Sequence, residues 1–124
     1  MWIVHDDPVA LAQIARHLID EVYRAPGQPR LRIALHHGEV HTRRQVTDGT
    51  VSIAGGEAVL CAKRVEPHVE PGQIWVTEEF RELLAGTPSL WRTIPLPGPD
   101  GDGRINVKKA TEPDLWVRLY RLEF

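Results

Sequence analysis

The sequence has few of the features that assign a protein to a class at once. Cys61 is the only cysteine among 124 residues, which excludes an internal disulfide and a metal site built from several cysteines. No apolar run approaches the length of a membrane span, and the N-terminus has no basic-then-apolar signal pattern. The net charge of -2 lacks the basic excess that nucleic-acid binding usually shows. We therefore expect a cytoplasmic protein with no membrane segment and no nucleic-acid partner.

The composition that is present fits one soluble globular domain. Apolar residues make up 42% of the sequence and charged residues 26%, which are close to average values for such proteins. A chain of 124 residues can bury one hydrophobic core and is too short for two.

The first part of the chain predicts a strand, a helix and a second strand. Met1–His5 is a short apolar segment typical of a strand. Asp7 followed by Pro8 predicts a helix start, because aspartate caps free backbone N–H groups and proline fits the first turn. Apolar residues then recur at spacings of three and four, which extends the helix to residue 24. Large apolar side chains occupy every second position at the start of residues 31–37, which predicts a half-buried strand.

The middle of the chain predicts an arm followed by a second helix. Residues 40–47 are a polar strand or arm that ends in a turn at Asp48-Gly49. Residues 51–53 are predicted to return the chain from this turn toward the core. The second helix then spans residues 55–66.

A buried strand and a third helix follow. Ile74–Val76 is a short apolar run after a loop rich in proline and glycine, which predicts the strand. Thr77 is predicted to cap the third helix, whose first turn is acidic and which ends at Gly86.

The C-terminal part predicts a link and a closing hairpin. Residues 95–103 are rich in proline and glycine and predict a flexible link. Apolar and polar residues alternate at 105–107, which predicts a strand. This strand and a last strand at 115–122 are predicted to form the hairpin. This mixed order of strands and helices predicts an α+β domain with helices largely on one face of a sheet.

Two stretches give the sequence a resemblance to a known family. Residues 31–40, LRIALHHGEV, are similar to the strand of class III adenylate/guanylate cyclases that ends in His-Thr-Gly. Residues 55–83 are similar to the family's helix of the form V-N-x-A-x-R-L, its Pro-Gly loop and the strand and capped helix that follow. With the arm between them, the match covers roughly residues 30–85.

The resemblance implies a fold and a domain layout. The chain resembles the C-terminal part of a cyclase catalytic (cyclase homology) domain, which implies a ferredoxin-like nucleotide cyclase fold. Residues 1–124 are then a single domain that lacks its N-terminal elements. Residues 1–94 are the sheet-and-helix core, and residues 95–124 are the link and closing hairpin.

The resemblance also assigns roles to individual positions. In active relatives an Asn and an Arg four residues apart on one helix steady the transition state, since such residues share a helix face. The matching positions here are Leu60 and Arg64, so Arg64 is the candidate catalytic residue and the Asn is replaced. The family's base-selecting position falls at Ile53, which cannot read a purine edge.

The family's metal aspartates fall outside the sequence. The first belongs on a strand before residue 1, and the second about two residues before Met1 by the family's spacing. Cyclisation needs Mg²⁺ or Mn²⁺, which a complete cyclase would bind, so no cofactor is expected for this chain. The resemblance thus implies a non-catalytic module, a pseudoenzyme used for dimerisation or signal regulation, or a fragment of a larger signalling protein. The alternative is half of a heterodimeric cyclase that contributes Arg64.

Missing N-terminal elements would leave a sheet edge uncovered, and exposed edges recruit partners. We therefore expect a homodimer or a pairing with another cyclase homology domain.

A third hypothesis is a small metal-binding protein. His37, Glu39 and His41 alternate along one face if the strand continues through Gly38, and two imidazoles with a carboxylate form a zinc ligand set. The other interpretation is that these side chains decorate an exposed arm while His36 is the family's strand-end histidine. Cys61 is expected to be a small packed hydrophobe on its helix.

Overall fold

The computed structural model describes residues 3, 5–22, 26–27, 30–87, 91–99, 101–108 and 112–123, apart from the side chains of residues 22 and 52–54. The helices are α1 (Pro8–His17), α2 (Glu57–Val65) and α3 (Glu78–Ala85). The strands are β1 (Ile33–Leu35), β2 (His41–Arg44), β3 (Val51–Gly55), β4 (Ile74–Thr77), β5 (Arg92–Pro95), β6 (Arg104–Asn106) and β7 (Trp116–Glu123). None of the described helices has the length and apolar character of a membrane span.

Helix α1 begins where the sequence predicts. Oδ1 of Asp7 accepts hydrogen bonds from the backbone N–H groups of Val9 at 3.0 Å and Ala10 at 3.4 Å. These bonds satisfy two of the free donors at the helix start. The α-helical geometry ends at His17, and the chain continues as a π-helical turn, Leu18–Val22. Residues 23–25 of the predicted helix lie outside the described part of the chain.

The main sheet has the order β1-β4-β7-β5, and β6 also pairs with β7. Strands β1 and β4 are parallel, and the other pairs are antiparallel. The predicted closing hairpin is β6 with β7. The predicted strand Met1–His5 lies partly outside the described residues, and the described Ile3 and His5 are in no strand.

Both faces of the sheet are covered. Strand β4 is buried throughout, because its alternate side chains enter two separate apolar clusters. The first cluster joins α1 and α3 to the sheet and contains Ala12, Ala15, Leu35, Ile74, Val76, Phe80, Leu84, Tyr120 and Leu122. The second cluster joins α2 to the other face and contains Cys61, Val65, Val69, Trp75, Val107 and Leu119. Two of the three described α-helices therefore share one face of this α+β sheet.

Strands β2 and β3 form a hairpin that belongs to a sheet of its own. Its turn closes through the hydrogen bond that Gln45 N–H donates to the carbonyl of Thr50, at 2.7 Å. The Asp48 carboxylate accepts from the Thr50 backbone N–H at 2.9 Å and from the Thr50 hydroxyl at 2.8 Å, and these bonds hold the pKa of Asp48 below its ordinary value. Every residue of β2 is exposed. This hairpin is the polar arm that the sequence predicts.

Candidate functional site

The side chain of His36 is the centre of the best-formed polar cluster in the described structure. His36 directly follows β1, and only 3% of its side chain is exposed. Its Nε2 lies 2.9 Å from Oε1 of Glu57, in the first turn of α2. Its Nδ1 lies 2.7 Å from Oγ1 of Thr77, where β4 meets α3. One buried imidazole thus links the ends of two parallel strands to the start of a helix on each side.

The hydrogen-bond partners define the protons on a neutral His36 ring. An ionised carboxylate only accepts, so Nε2–H donates to Glu57 and Nδ1 accepts from the hydroxyl of Thr77. A threonine hydroxyl can also accept a hydrogen bond. In the other tautomer, with the proton on Nδ1, the Thr77 hydroxyl can therefore accept that proton's hydrogen bond without moving. Thr77 occupies the N-cap position of α3, as predicted, but its side chain makes no capping bond and contacts His36 instead.

Cys61 completes the cluster from α2. It lies four residues after Glu57, and residues at that spacing share one helix face. The ligand-type atoms of His36, Glu57 and Cys61 all lie within 4.8 Å of one another. Burial raises the pKa of the Cys61 thiol to about 11, with further raising by the charges of Glu57 and Glu79 and an opposing effect of Arg64.

Gly38 leaves room for the Glu57 carboxylate. A Cβ atom at residue 38 would overlap Oε2 of Glu57 and would lie 3.1 Å from Nε2 of His36. The absence of a side chain at Gly38 therefore allows the carboxylate to reach the imidazole. Gly38, the residue after the predicted strand 31–37, therefore borders this cluster directly.

The residues that the cyclase resemblance singles out lie on α2 and β3. Arg64 forms an ion pair with Glu112, and its side chain is 19% exposed. Leu60, one turn earlier, is 53% exposed. Ile53 lies on β3 opposite Thr42, and its side chain lies outside the described part of the structure.

The predicted zinc ligands are only partly brought together. Nε2 of His41 lies 3.0 Å from Oε1 of Glu39, with both side chains exposed. His37 is exposed and joins no group of three ligand-type side chains among the described residues. The group of three that does form contains the neighbouring His36. The sequence offered two signals for it: the histidine that ends the strand, and the four-residue spacing of Glu57 and Cys61.

A groove runs along the outer edge of β1, between α1 and α2. Its volume is about 670 Å³. Most of the groove is apolar, and its walls come from both faces of the sheet: Leu11, Ile14, Leu18, Ala58, Val59 and Ala62. Within the described residues β1 pairs on one side only, with β4. The groove therefore lies beside a strand edge that has no partner strand in the part of the chain that the structure describes.

We expect the Cys61 thiol to react slowly in the native protein. The rise in its pKa from 9.0 to about 11 lowers the thiolate fraction near pH 8 by roughly 100-fold, and the thiolate is the nucleophile. Iodoacetamide labelling, followed by mass spectrometry with a chelator present, should therefore be at least about 10-fold slower in the native chain than in the urea-unfolded chain, because the greater nucleophilicity of a thiolate of higher pKa offsets part of the loss. Since Cys61 is the only cysteine, all label reports on it. Equal rates in the two states would contradict the described burial.

Comparison with known proteins supports the fold. No family model and no curated protein matches the sequence. Among solved structures, the adenylyl cyclase CyaB from P. aeruginosa matches with a TM-score of 0.54 at 21% sequence identity. The match covers 94% of this chain and 55% of that chain. The chain thus has a cyclase-like, ferredoxin-like α+β fold and spans about half the length of the cyclase chain that it matches.

Proposed function

We propose that this chain is a non-catalytic, cyclase-like module that acts by pairing, either with a second copy of itself or with another cyclase homology domain. The observation that carries the proposal is the outer edge of β1, which pairs with no strand among the described residues and lies at the bottom of an apolar groove. Its role in the cell would be dimerisation or signal regulation, alone or as a part of a larger signalling protein.

The backbone of β1 supports strand addition at this edge. Ile33 N–H donates to the carbonyl of Gln73, and the carbonyl of Leu31 accepts from Gly72 N–H. Because successive residues of a strand point their backbone groups to opposite sides, the N–H and C=O of Ala34 point away from β4. Edge groups that point away from β4, between two apolar helix faces, can provide both hydrogen bonds and buried area to an incoming segment.

The β2–β3 hairpin offers a second contact surface. A two-stranded hairpin alone is marginally stable in water. Val46 in its turn is fully exposed, and Val51 is 57% exposed. Exposed valines at the end of a projecting hairpin are suited to packing against a partner.

The helix α2 supports the non-catalytic part of the proposal. Leu60 occupies the position of the family's transition-state Asn, and an exposed apolar side chain cannot hydrogen-bond to a phosphate. The guanidinium of Arg64 already has Glu112 as its partner. A heterodimeric cyclase that uses Arg64 remains the second candidate, because Glu112 is 43% exposed and the ion pair can open toward solvent.

Sedimentation velocity over a range of concentrations tests the pairing. We expect reversible self-association of the chain, or association with an added cyclase homology domain. The variant Leu83→Lys puts a charge into the groove from a side chain that is 36% exposed, and it should weaken the association at least about 10-fold, since a buried unpaired charge is costly. Trp116→Gln is the matched control, because Trp116 is 47% exposed and lies outside the groove lining.

The same preparations, incubated with ATP or GTP and with Mg²⁺ or Mn²⁺, should form no cyclic nucleotide. A monomer at all concentrations, with no binding to the added domain, would contradict the pairing. Cyclic nucleotide that forms only in the mixture and is lost in Arg64→Ala would favour the heterodimeric enzyme.

A further inference from the structure

We propose that His36, Glu57 and Cys61 form a binding site for a single divalent transition-metal ion of the zinc type. The site lies where β1 ends against the first two turns of α2. It is separate from the aspartates that a cyclase uses for magnesium and from the triad His37, Glu39 and His41 that the sequence suggests.

The ligand atoms are close to the arrangement that such an ion requires. Zinc binds sulfur at about 2.3 Å, imidazole nitrogen at about 2.0–2.1 Å and carboxylate oxygen at about 2.0–2.2 Å, in a tetrahedron. Ligand atoms on the edges of that tetrahedron are roughly 3–4 Å apart. The three atoms here lie within 4.8 Å of one another, so rotation of the exposed Glu57 side chain and of the Cys61 thiol would close the site.

The types of ligand select the metal. A thiolate, an imidazole and a carboxylate together favour zinc, cobalt and similar ions, whereas magnesium and calcium prefer oxygen ligands. A thiolate and a carboxylate carry two negative charges, which balance a divalent cation beside a neutral imidazole. Glu57 is 63% exposed, so solvent can supply the fourth ligand from the open side.

The surroundings of His36 are those of a metal-binding imidazole. Such a ring commonly has one nitrogen on the metal while the other donates a hydrogen bond that fixes its orientation. Nε2 faces Glu57, and Nδ1 faces the buried hydroxyl of Thr77, with a carboxylate oxygen of Glu79 at 3.7 Å. When the metal takes Nε2, the ring proton moves to Nδ1 and the Thr77 hydroxyl changes from donor to acceptor. The thiol of Cys61 releases its proton to solvent, so one proton leaves for each ion bound.

Cobalt(II) is the probe that tests this site, with protein prepared without a histidine tag. Titration should give one ion per chain, d–d absorption of tetrahedral intensity and the near-ultraviolet charge-transfer band of a cobalt–thiolate bond. Added zinc should abolish both signals. We expect Glu57→Gln to weaken cobalt binding by about 10- to 100-fold, and Cys61→Ser to abolish the charge-transfer band. Because Glu57 is 63% exposed, its variant is expected to fold normally, and circular dichroism provides the check.

Two further variants separate this site from others. His37→Gln changes an exposed histidine one residue away, so both the affinity and the spectrum should stay unchanged. Gly38→Ala should displace the Glu57 carboxylate, because the added Cβ overlaps Oε2, and should weaken binding by less than Glu57→Gln does, because the carboxylate is kept. The proposal is overturned if titration shows no saturable one-to-one binding, if the thiolate band is absent, or if His37→Gln weakens binding as much as Glu57→Gln.

Discussion

Replacing Phe80 by alanine is expected to lower the free energy of unfolding by about 3–5 kcal/mol, the range for a large aromatic removed from a packed core. Phe80 is 2% exposed and lies in the cluster that joins α1 and α3 to the sheet. The loss combines the transfer free energy of the ring with the cavity that it leaves. A domain of this size has roughly 5–15 kcal/mol of stability, so the variant would have lost a large part of it.

Urea denaturation measures this loss as a shift of the midpoint at an unchanged m-value. Leu83→Ala is the matched control, because Leu83 lies on the same helix and is 36% exposed. We expect the control to cost less, about 1–2 kcal/mol, since about a third of that residue's surface stays in water after folding. Similar losses for the two variants would contradict the placement of α3, which the groove and the β4–α3 junction both depend on.

The sequence predicted the elements that local chemistry determines. Asp7 and Pro8 define the start of α1 because the cap and the fixed φ angle act within one turn. Strand β4 is recognisable because an uninterrupted apolar run between turn residues is buried on both faces. The turn at Asp48-Gly49 needs a positive φ angle, which Gly49 adopts at 72°.

Elements that depend on distant partners were missed or misjudged. Strand β5 ends at Pro95, and apolar and polar side chains do not alternate clearly along it, so the sequence does not predict it. It forms because β7 is eight residues long and pairs with β5 near its end and with β6 near its start. The apolar spacing predicted one α-helix to residue 24, whereas the α-helical geometry ends at His17 and a π-helical turn spans Leu18–Val22. Side-chain spacing alone does not determine which backbone hydrogen-bond pattern the last turn adopts.

The cluster of His36, Glu57, Cys61 and Thr77 illustrates the same limit for the site. Glu57 and Cys61 are near neighbours on one helix, but His36 and Thr77 are 41 residues apart and meet only because β1 and β4 are parallel. Local periodicity favoured His37, since it alternates with Glu39 and His41. The strand in fact ends before Gly38, so the alternation is lost, and His36 is the histidine that the fold buries.

Replacing His36 by alanine is expected to cost about 2–4 kcal/mol of stability even without a metal ion. The ring is 97% buried, since only 3% of its side chain is exposed, and it bridges Glu57 and Thr77. Its removal leaves the buried hydroxyl of Thr77 without its partner, and an unsatisfied buried group costs about 1–3 kcal/mol. The cavity left by the ring adds to that loss. His37→Ala, at the exposed neighbouring residue, should change stability by no more than about 0.5 kcal/mol.

A double-mutant cycle with Thr77→Val separates the hydrogen bond from the packing. Both variants break the contact between His36 and Thr77, so their combined cost should be smaller than the sum of the single costs by at least about 1 kcal/mol. Urea denaturation with a chelator present provides all four values. Additive costs would show that the 2.7 Å contact between Nδ1 and Oγ1 contributes no stability. In that case the cluster would not be preorganised by Thr77, and the orientation of Nε2 toward an incoming metal ion would have to come from Glu57 alone.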